Sequence, residues 1–283
     1  MSETTATSVY RTAVEVDGHA ASYLTAGQDG PPVLLLHGTY WSRVWLPVLG
    51  GLAEAGLRPI AVDFPGLGCS GGELTLDTAT VPALADWVVR FVSALRLSAP
   101  IAMAGHDIGG AVAQHLLTRD PVAGSRLALV NSVLCDSWPA PHVGQYRDPV
   151  VAAATTGEEL LAVRRQATAG ALAGAATEGL IAEYVEPWTD PRVRRSWLAM
   201  AAAADHRYTL DLVPALRQST TPKLLIWGED DRYEKVEYAE KFTTEMPHTT
   251  LVRIPDADHI PTENASDQIA RTLTDFFTQP DQG

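Results

Sequence analysis

Cysteine is scarce in this chain of 283 residues: Cys69 and Cys135 are the only two, at a spacing that suggests neither a zinc site nor a disulfide framework. Basic charge is scarce as well. Lys and Arg number 21 against 34 Asp and Glu, a formal net charge of −13. A chain without a basic footprint is a poor match for nucleic acid or an anionic membrane surface. No apolar run approaches the roughly 20 residues that span a bilayer. The opening M-S-E-T-T-A-T-S has no basic stretch followed by an apolar one, so no signal peptide is expected. The histidines show no metal-ligand spacing. Together these absences predict a cytoplasmic protein without metal or other cofactor, acting on a small molecule. A homodimer stays open.

What the chain does have is alternation. Apolar runs at Pro32 to His37, Pro59 to Phe64, Pro100 to Ala104, Leu127 to Val133, Lys223 to Trp227 and Thr250 to Ile254 read as strands buried on both faces. Tyr10 to Val16 and Ala21 to Thr25 flank the turn signal Asp17-Gly18, and read as a hairpin. Helical patterns lie between the later strands, from about Trp45 to Ala55, Pro82 to Leu95, Lys235 to Glu245 and Ala265 to Phe277. Strand and helix in alternation predict an α/β fold with a mostly parallel sheet. The rhythm breaks between Leu134 and Val213, an alanine-rich stretch with helical patterns and no apolar strand. The expected division is a core of residues 1–133 and 214–283 and a helical cap of residues 134–213.

The most informative stretch is P-I-A-M-A-G-H-D-I-G-G-A-V-A-Q-H-L-L, Pro100 to Leu117. A strand ends at Gly105, a helix begins after Gly109-Gly110, and Asp107 sits alone between them. This is the strand–tight turn–helix context of a nucleophile elbow. The glycines permit a strained turn that lifts the central side chain over the sheet edge. The helix N-terminus would favour a carboxylate as its anion, and an anionic carboxylate needs no base to make it a nucleophile. Aspartate is also an ordinary helix N-cap, so the two readings must be separated by what the side chain touches.

Two further acid–base groups, Asp231 and His259, fall at the C-terminal ends of predicted strands, where open parallel sheets gather their functional groups. The chain order nucleophile, acid, histidine is that of the α/β-hydrolase fold. His37-Gly38 after the third strand, G-H-D-I-G at the elbow, W-G-E-D-D after the late strand and D-H-I-P near the end together resemble α/β hydrolases, from about Tyr10 to Phe277. The resemblance implies that fold, a mostly parallel sheet flanked by helices with an inserted helical cap. Gly68-Cys69-Ser70-Gly71-Gly72 matches G-x-S-x-G literally. Pro65 intervenes after the strand and no helix follows, so Ser70 is expected to be a loop residue.

With Asp107 as nucleophile, the resemblance narrows to epoxide hydrolases and haloalkane dehalogenases. It implies a covalent alkyl ester on Asp107, hydrolysed by water that His259 activates while Asp231 orients the ring. Asp231 is preferred over Asp230 and Asp136 for its spacing from Gly228. The backbone N–H groups of Thr39 and Ile108 are expected to form the oxyanion hole. Cap tyrosines commonly protonate the leaving oxygen in epoxide hydrolases, which nominates Tyr208 and Tyr146. His37, Tyr40, Trp41, Trp138 and Tyr184 are expected around the pocket, with His106 pointing away from it. The expected activity is opening of an uncharged, fairly apolar epoxide to a diol. The alternatives are a haloalkane dehalogenase, a lyase, cyclase or isomerase using the same three groups, or a non-catalytic ligand receptor.

Overall fold

The computed structural model describes residues 8–119 and 124–280. Its sheet has eight strands in the order β1-β2-β4-β3-β5-β6-β7-β8. These are β1 Val9–Val16, β2 His19–Ala26, β3 Pro32–Leu36, β4 Arg58–Val62, β5 Ala102–Asp107, β6 Leu127–Ser132, β7 Lys223–Gly228 and β8 Thr249–Ile254. β2 runs antiparallel to β1 and β4, and every other pairing is parallel. β3 to β8 overlap the six apolar runs, and β1 and β2 overlap the two arms of the expected hairpin. The central ones are sealed on both faces: Val33 to Leu36 and Leu127 to Val130 have no exposed surface. A strand of that kind needs helices above and below it.

Those helices include α1 (Leu46–Glu54), α2 (Val81–Ala94) and α3 (Ile108–Leu117). Thr80 caps α2, its side chain accepting from the Ala83 N–H. Between β6 and β7 every described element is helical: α4 (Pro141–Gly144), α5 (Pro149–Ala154), α6 (Gly157–Leu172), α7 (Glu178–Val185), α8 (Pro191–Ala203), α9 (Arg207–Leu210) and α10 (Val213–Gln218), joined in places by short 3-10 turns. Thr156 and Glu159 close a capping box that starts α6. After β7 come α11 (Val236–Glu245), then β8, α12 (Pro261–Asn264) and α13 (Ser266–Thr278). Among the described residues no helix is long and apolar enough to cross a membrane.

The helical insert is fastened to the core by specific bonds. Arg43 at the start of the first crossover pairs with Glu183 of α7 and Glu263 of α12, each at 2.6 Å. Tyr184 donates to the same Glu263 carboxylate at 2.8 Å. The Ile260 N–H donates to the Ala171 carbonyl, and Asn264 to that of Leu172. Each joins α6 to the loop around His259. A mostly parallel sheet thus puts the ends of β3, β5, β6, β7 and β8 beneath the insert.

Candidate active site

The elbow forms where the glycines predict it. Asp107 has φ +52° and ψ −128°, a backbone conformation costly for any residue with a side chain. The turn is compressed from all sides. A Cβ on Gly105 would lie 2.5 Å from the Gly109 carbonyl, and one on Gly109 would lie 2.5 Å from that of His37. Asp107 occupies the N-cap position of α3, yet its side chain makes no capping bond. Its Oδ2 instead accepts from the Thr39 N–H at 2.8 Å and the Thr39 hydroxyl at 2.7 Å. That separates the two readings of this residue. A capping carboxylate would turn back onto its own helix, whereas this one faces the loop after β3.

Gly38 makes room for that contact. A Cβ there would fall 2.5 Å from Asp107 Cγ. His37 is fully buried: its Nε2 accepts from the Phe64 N–H at 3.0 Å, and its Nδ1–H donates to the Gly38 carbonyl at 2.9 Å. It ties the loop after β3 to the end of β4, and burial lowers its pKa. Ile108 begins α3 and lines the cavity beside Asp107. The first N–H groups of a helix have no partner within it.

His259 Nδ1 lies 2.9 Å from Asp231 Oδ2. Asp231 is held from every direction. Its Oδ2 also accepts from Asn131 Nδ2 at 2.7 Å, and its Oδ1 accepts from the N–H groups of Tyr233 at 2.7 Å and Glu234 at 3.0 Å. Asn131 is itself anchored, its Oδ1 accepting from the Gly228 N–H at 2.9 Å. Gly228 lets the two loops touch: a Cβ there would lie 2.5 Å from the carbonyls of Ala257 and Asp258. Burial pulls the His259 pKa down, but Asp231 and then Asp107 outweigh it and hold it at about 9. Asp230 and Asp136 are exposed and make no bond to the ring. His106 sits behind the ring, 2.7 Å from the His259 carbonyl, and burial with the neighbouring His259 lowers its pKa to about 4.

Above these groups lies a cavity with about 480 Å³ of atom-free space, its open mouth included, walled by the elbow, the loop after β6, α4 and α6. Of the candidate residues, Asp107, Thr39, Ile108, His259, Tyr40 and Trp138 line it. Tyr146 and Tyr208 do not. Tyr146 is buried edge-on against Trp197, and Tyr208 is half-buried on α9, outside the cavity wall. His37, Trp41 and Tyr184 are likewise absent from the wall. The Trp41 indole donates to the Tyr184 carbonyl at 3.1 Å and the Tyr184 ring lies under Arg43, so both serve the junction of insert and core. Trp138 reaches the wall, but its indole N–H is spent on Thr209 at 2.7 Å.

Four polar wall residues were not anticipated. Tyr233 and Glu234 follow Asp231 in the chain, His142 lies on α4 and Arg164 on α6. Burial, with Asp107 and Asp231 nearby, raises the Glu234 pKa well above the ordinary carboxylate range. Its Oε2 is buried without a partner. Arg164 donates from Nη2 to the Thr39 carbonyl at 3.0 Å, alongside the Trp197 indole at 3.2 Å. Among the described residues no cluster of side chains could hold a metal ion. Ser70 is 1% exposed and lies outside this cavity. Its hydroxyl donates to the Asp63 carbonyl at 2.7 Å and accepts from the Ser22 N–H at 2.9 Å, both loop-closing bonds.

Residues 33–272 match the sequence model of the alpha/beta hydrolase family. A haloalkane dehalogenase of Mesorhizobium japonicum is 26% identical over 97% of this chain and 93% of its own length. In fold, the chain is similar to a haloalkane dehalogenase of Bradyrhizobium elkani, with a TM-score of 0.82 and 23% identity over 95% of this chain and 97% of that one. It is also similar to an epoxide hydrolase, with a TM-score of 0.78 and 23% identity over 95% and 99% of the two chains.

Proposed function

The chain belongs to the alpha/beta hydrolase family, and within it we propose a hydrolase that opens an epoxide to a diol through an ester on Asp107. The observation that carries this reading is the asymmetry of the Asp107 carboxylate. Oδ2 is held by the two donors of Thr39, which leaves Oδ1 as the attacking atom beneath the cavity. In the first step Oδ1 bonds to a ring carbon, the carbon–oxygen bond of the epoxide breaks, and its oxygen takes a proton from an acid of the cavity. The product is an alkyl ester with a free hydroxyl.

In the second step His259 Nε2 takes a proton from water, and the hydroxide adds to Asp107 Cγ. Negative charge then develops on Oδ2, where the Thr39 donors already point. Collapse of this intermediate expels the alkoxide, which takes the proton from His259 to give the diol, and the proton left on the Asp107 carboxyl returns to the cavity acid, restoring the carboxylate and the acid. The sum is epoxide plus water to diol. Ester formation also removes the negative charge of Asp107, one of the influences that hold the His259 pKa at about 9. More of the imidazole is therefore unprotonated at the stage that needs a base.

The cavity wall supports an oxygen leaving group. Besides the Thr39 hydroxyl, which is given to Asp107, it carries the phenols of Tyr40 and Tyr233 and the carboxyl of Glu234, whose pKa burial raises; the Tyr233 O–H donates to the Ala167 carbonyl at 3.3 Å, and the one indole N–H, that of Trp138, to Thr209 at 2.7 Å. These three replace Tyr146 and Tyr208 as the proposed proton donors. The relative named haloalkane dehalogenase, matched along nearly the whole chain, favours displacement of halide as the second reading.

One experiment separates them. A His259→Gln variant is incubated with epoxides and with haloalkanes, each set including carboxylate-bearing members, and weighed intact. A gain equal to a whole epoxide, absent in an added Asp107→Asn substitution, is the expected result. A gain equal to haloalkane less hydrogen halide moves the assignment to dehalogenation. Wild-type turnover of a compound that leaves no adduct on the variant overturns the ester mechanism.

A further inference from the structure

The strangest residue of the cavity is Arg164. It is 2% exposed, and no carboxylate among the described residues pairs with it. Three rings surround its guanidinium carbon, Tyr40 at 4.8 Å and Trp188 and Trp197 at 4.9 Å each. Of its five N–H donors, the only bond made among the described residues is that from Nη2 to the Thr39 carbonyl. Nε is buried with no partner. The next residue shows how an arginine on this helix is ordinarily satisfied. Arg165 reaches outward and pairs with Glu178 at 2.8 Å.

A guanidinium buried without an anion is unfavourable by several kcal/mol. Ring faces offset part of that, but they satisfy no N–H. An apolar side chain would fill the same aromatic cage with no unmet donors. Nη1 makes no hydrogen bond among the described residues and Nη2 makes one, so this end of the guanidinium keeps donors that match a carboxylate in a two-bond fork. Arg164 lines the same cavity as Asp107 and His259.

We propose that Arg164 binds a carboxylate of the substrate, so that this site takes a small organic acid whose electrophilic carbon is presented to Asp107. This replaces the uncharged substrate expected from the sequence. It rests on the reading of Asp107 as nucleophile for the reaction, but not for the binding. The anion supplies the partner that the fold withholds from Arg164, and the pairing fixes which end of the substrate faces the nucleophile. Neutral compounds of the same shape leave the guanidinium edge unpaired and are rejected on that ground.

The test compares matched pairs that differ only in charge: butyrate with butyramide, hexanoate with hexanamide, and phenylacetate with phenylacetamide. Binding is followed at pH 7 by calorimetry and by tryptophan fluorescence, since Trp188 and Trp197 flank the guanidinium. At least one acid should bind about 10-fold or more tightly than its amide, the factor expected of a charge-assisted fork. In Arg164→Met that ratio should fall to about 1, with amide affinity retained. Arg164→Lys should keep part of the preference, and it serves if the Met variant fails to fold, which a thermal melt reports.

Equal binding of acids and amides by the wild type overturns the proposal. So does an acid preference that survives in Arg164→Met, or no acid binding up to about 10 mM. A residue that merely braced Thr39 would alter stability without changing the acid-to-amide ratio. Failure here is distinguishable from failure of the ester mechanism. A His259→Gln protein alkylated by neutral epoxides but blind to acids fails only this inference, and acid preference with no adduct from any turned-over compound fails only the other.

Discussion

Replacing Asp231 with Asn tests the electrostatics of the site without requiring a substrate. The wild-type carboxylate accepts four hydrogen bonds, two on each oxygen. An amide cannot accept on both sides. Turned one way, its NH2 meets the N–H groups of Tyr233 and Glu234. Turned the other, it meets Asn131 and His259. The second is the easier, because an imidazole can exchange tautomers while a backbone amide cannot. Asn131 has no such freedom, its Oδ1 being fixed by the Gly228 N–H. His259 Nδ1 would then accept, the proton would move to Nε2, and the ring would present an N–H to the cavity where a base is needed.

The magnitude follows from the balance on His259. Burial lowers its pKa, and Asp231 with Asp107 raises it to about 9 against an ordinary 6.5. That difference corresponds to about 3 kcal/mol favouring the charged ring in the folded protein. The folded value is the higher one, so this stabilisation is full below pH 6.5 and is lost as pH rises through 9. In Asp231→Asn burial prevails, and the ring should titrate below 6.5. Urea unfolding at pH 6, 7.5 and 9.5 should therefore show wild-type stability falling by about 3 kcal/mol relative to the variant across that range. Lys223, whose pKa burial lowers to about 8, titrates in both proteins and cancels in the difference. Histidine ring NMR reads the same change directly. Parallel stability profiles, or a variant ring still titrating above pH 8, would refute the reasoning. With a substrate in hand, turnover should fall about 10³- to 10⁴-fold, as when a triad histidine is left in the wrong tautomer.

Two other substitutions report on the scaffold. Gly38→Ala places a methyl group against the Asp107 carboxylate. It should cut adduct formation in the His259→Gln background by at least about 100-fold, while circular dichroism stays unchanged; normal adduct formation would mean the carboxylate sits elsewhere. Arg43→Ala removes a side chain that is 10% exposed and bridges Glu183 and Glu263. Unfolding free energy should drop by about 2 kcal/mol, less than for a fully buried pair because Glu183 is half exposed. A melting temperature within about 1 °C of wild type would show that the insert is held by packing instead.

The strands were legible because each central one is buried on both faces and so reads as an unbroken apolar run. Asp107, Asp231 and His259 were legible because each lies just past such a run, in a turn whose glycines have a local reason to exist. Asn131 left a signal that went unread, a polar residue closing the otherwise apolar strand Leu127 to Ser132. The roof of the cavity was another matter. Helical periodicity says which side of α6 is buried, but not which part of the core it crosses. Nothing local tells Arg164, turned into the cavity, from Arg165, turned to solvent. Tyr146 and Tyr208 failed for the same reason. A phenol on a short helix is as useful for packing as for chemistry, and here Tyr146 meets Trp197 instead of the cavity.

Thr39 carries a lesson for anyone who would re-engineer this protein. Its N–H and hydroxyl grip Asp107, while its carbonyl is gripped by Arg164 and Trp197 of the insert. A library that randomises the insert to widen the range of accepted compounds would sample both positions, and each change there tugs on the peptide that aims the reactive carboxylate. If Asp107 is the nucleophile proposed above, inactive clones would accumulate for a reason unrelated to fit. Diversity is better spent on Val143, Ala167 and Ala204, which line the same cavity and have no polar side-chain atom to bond Thr39.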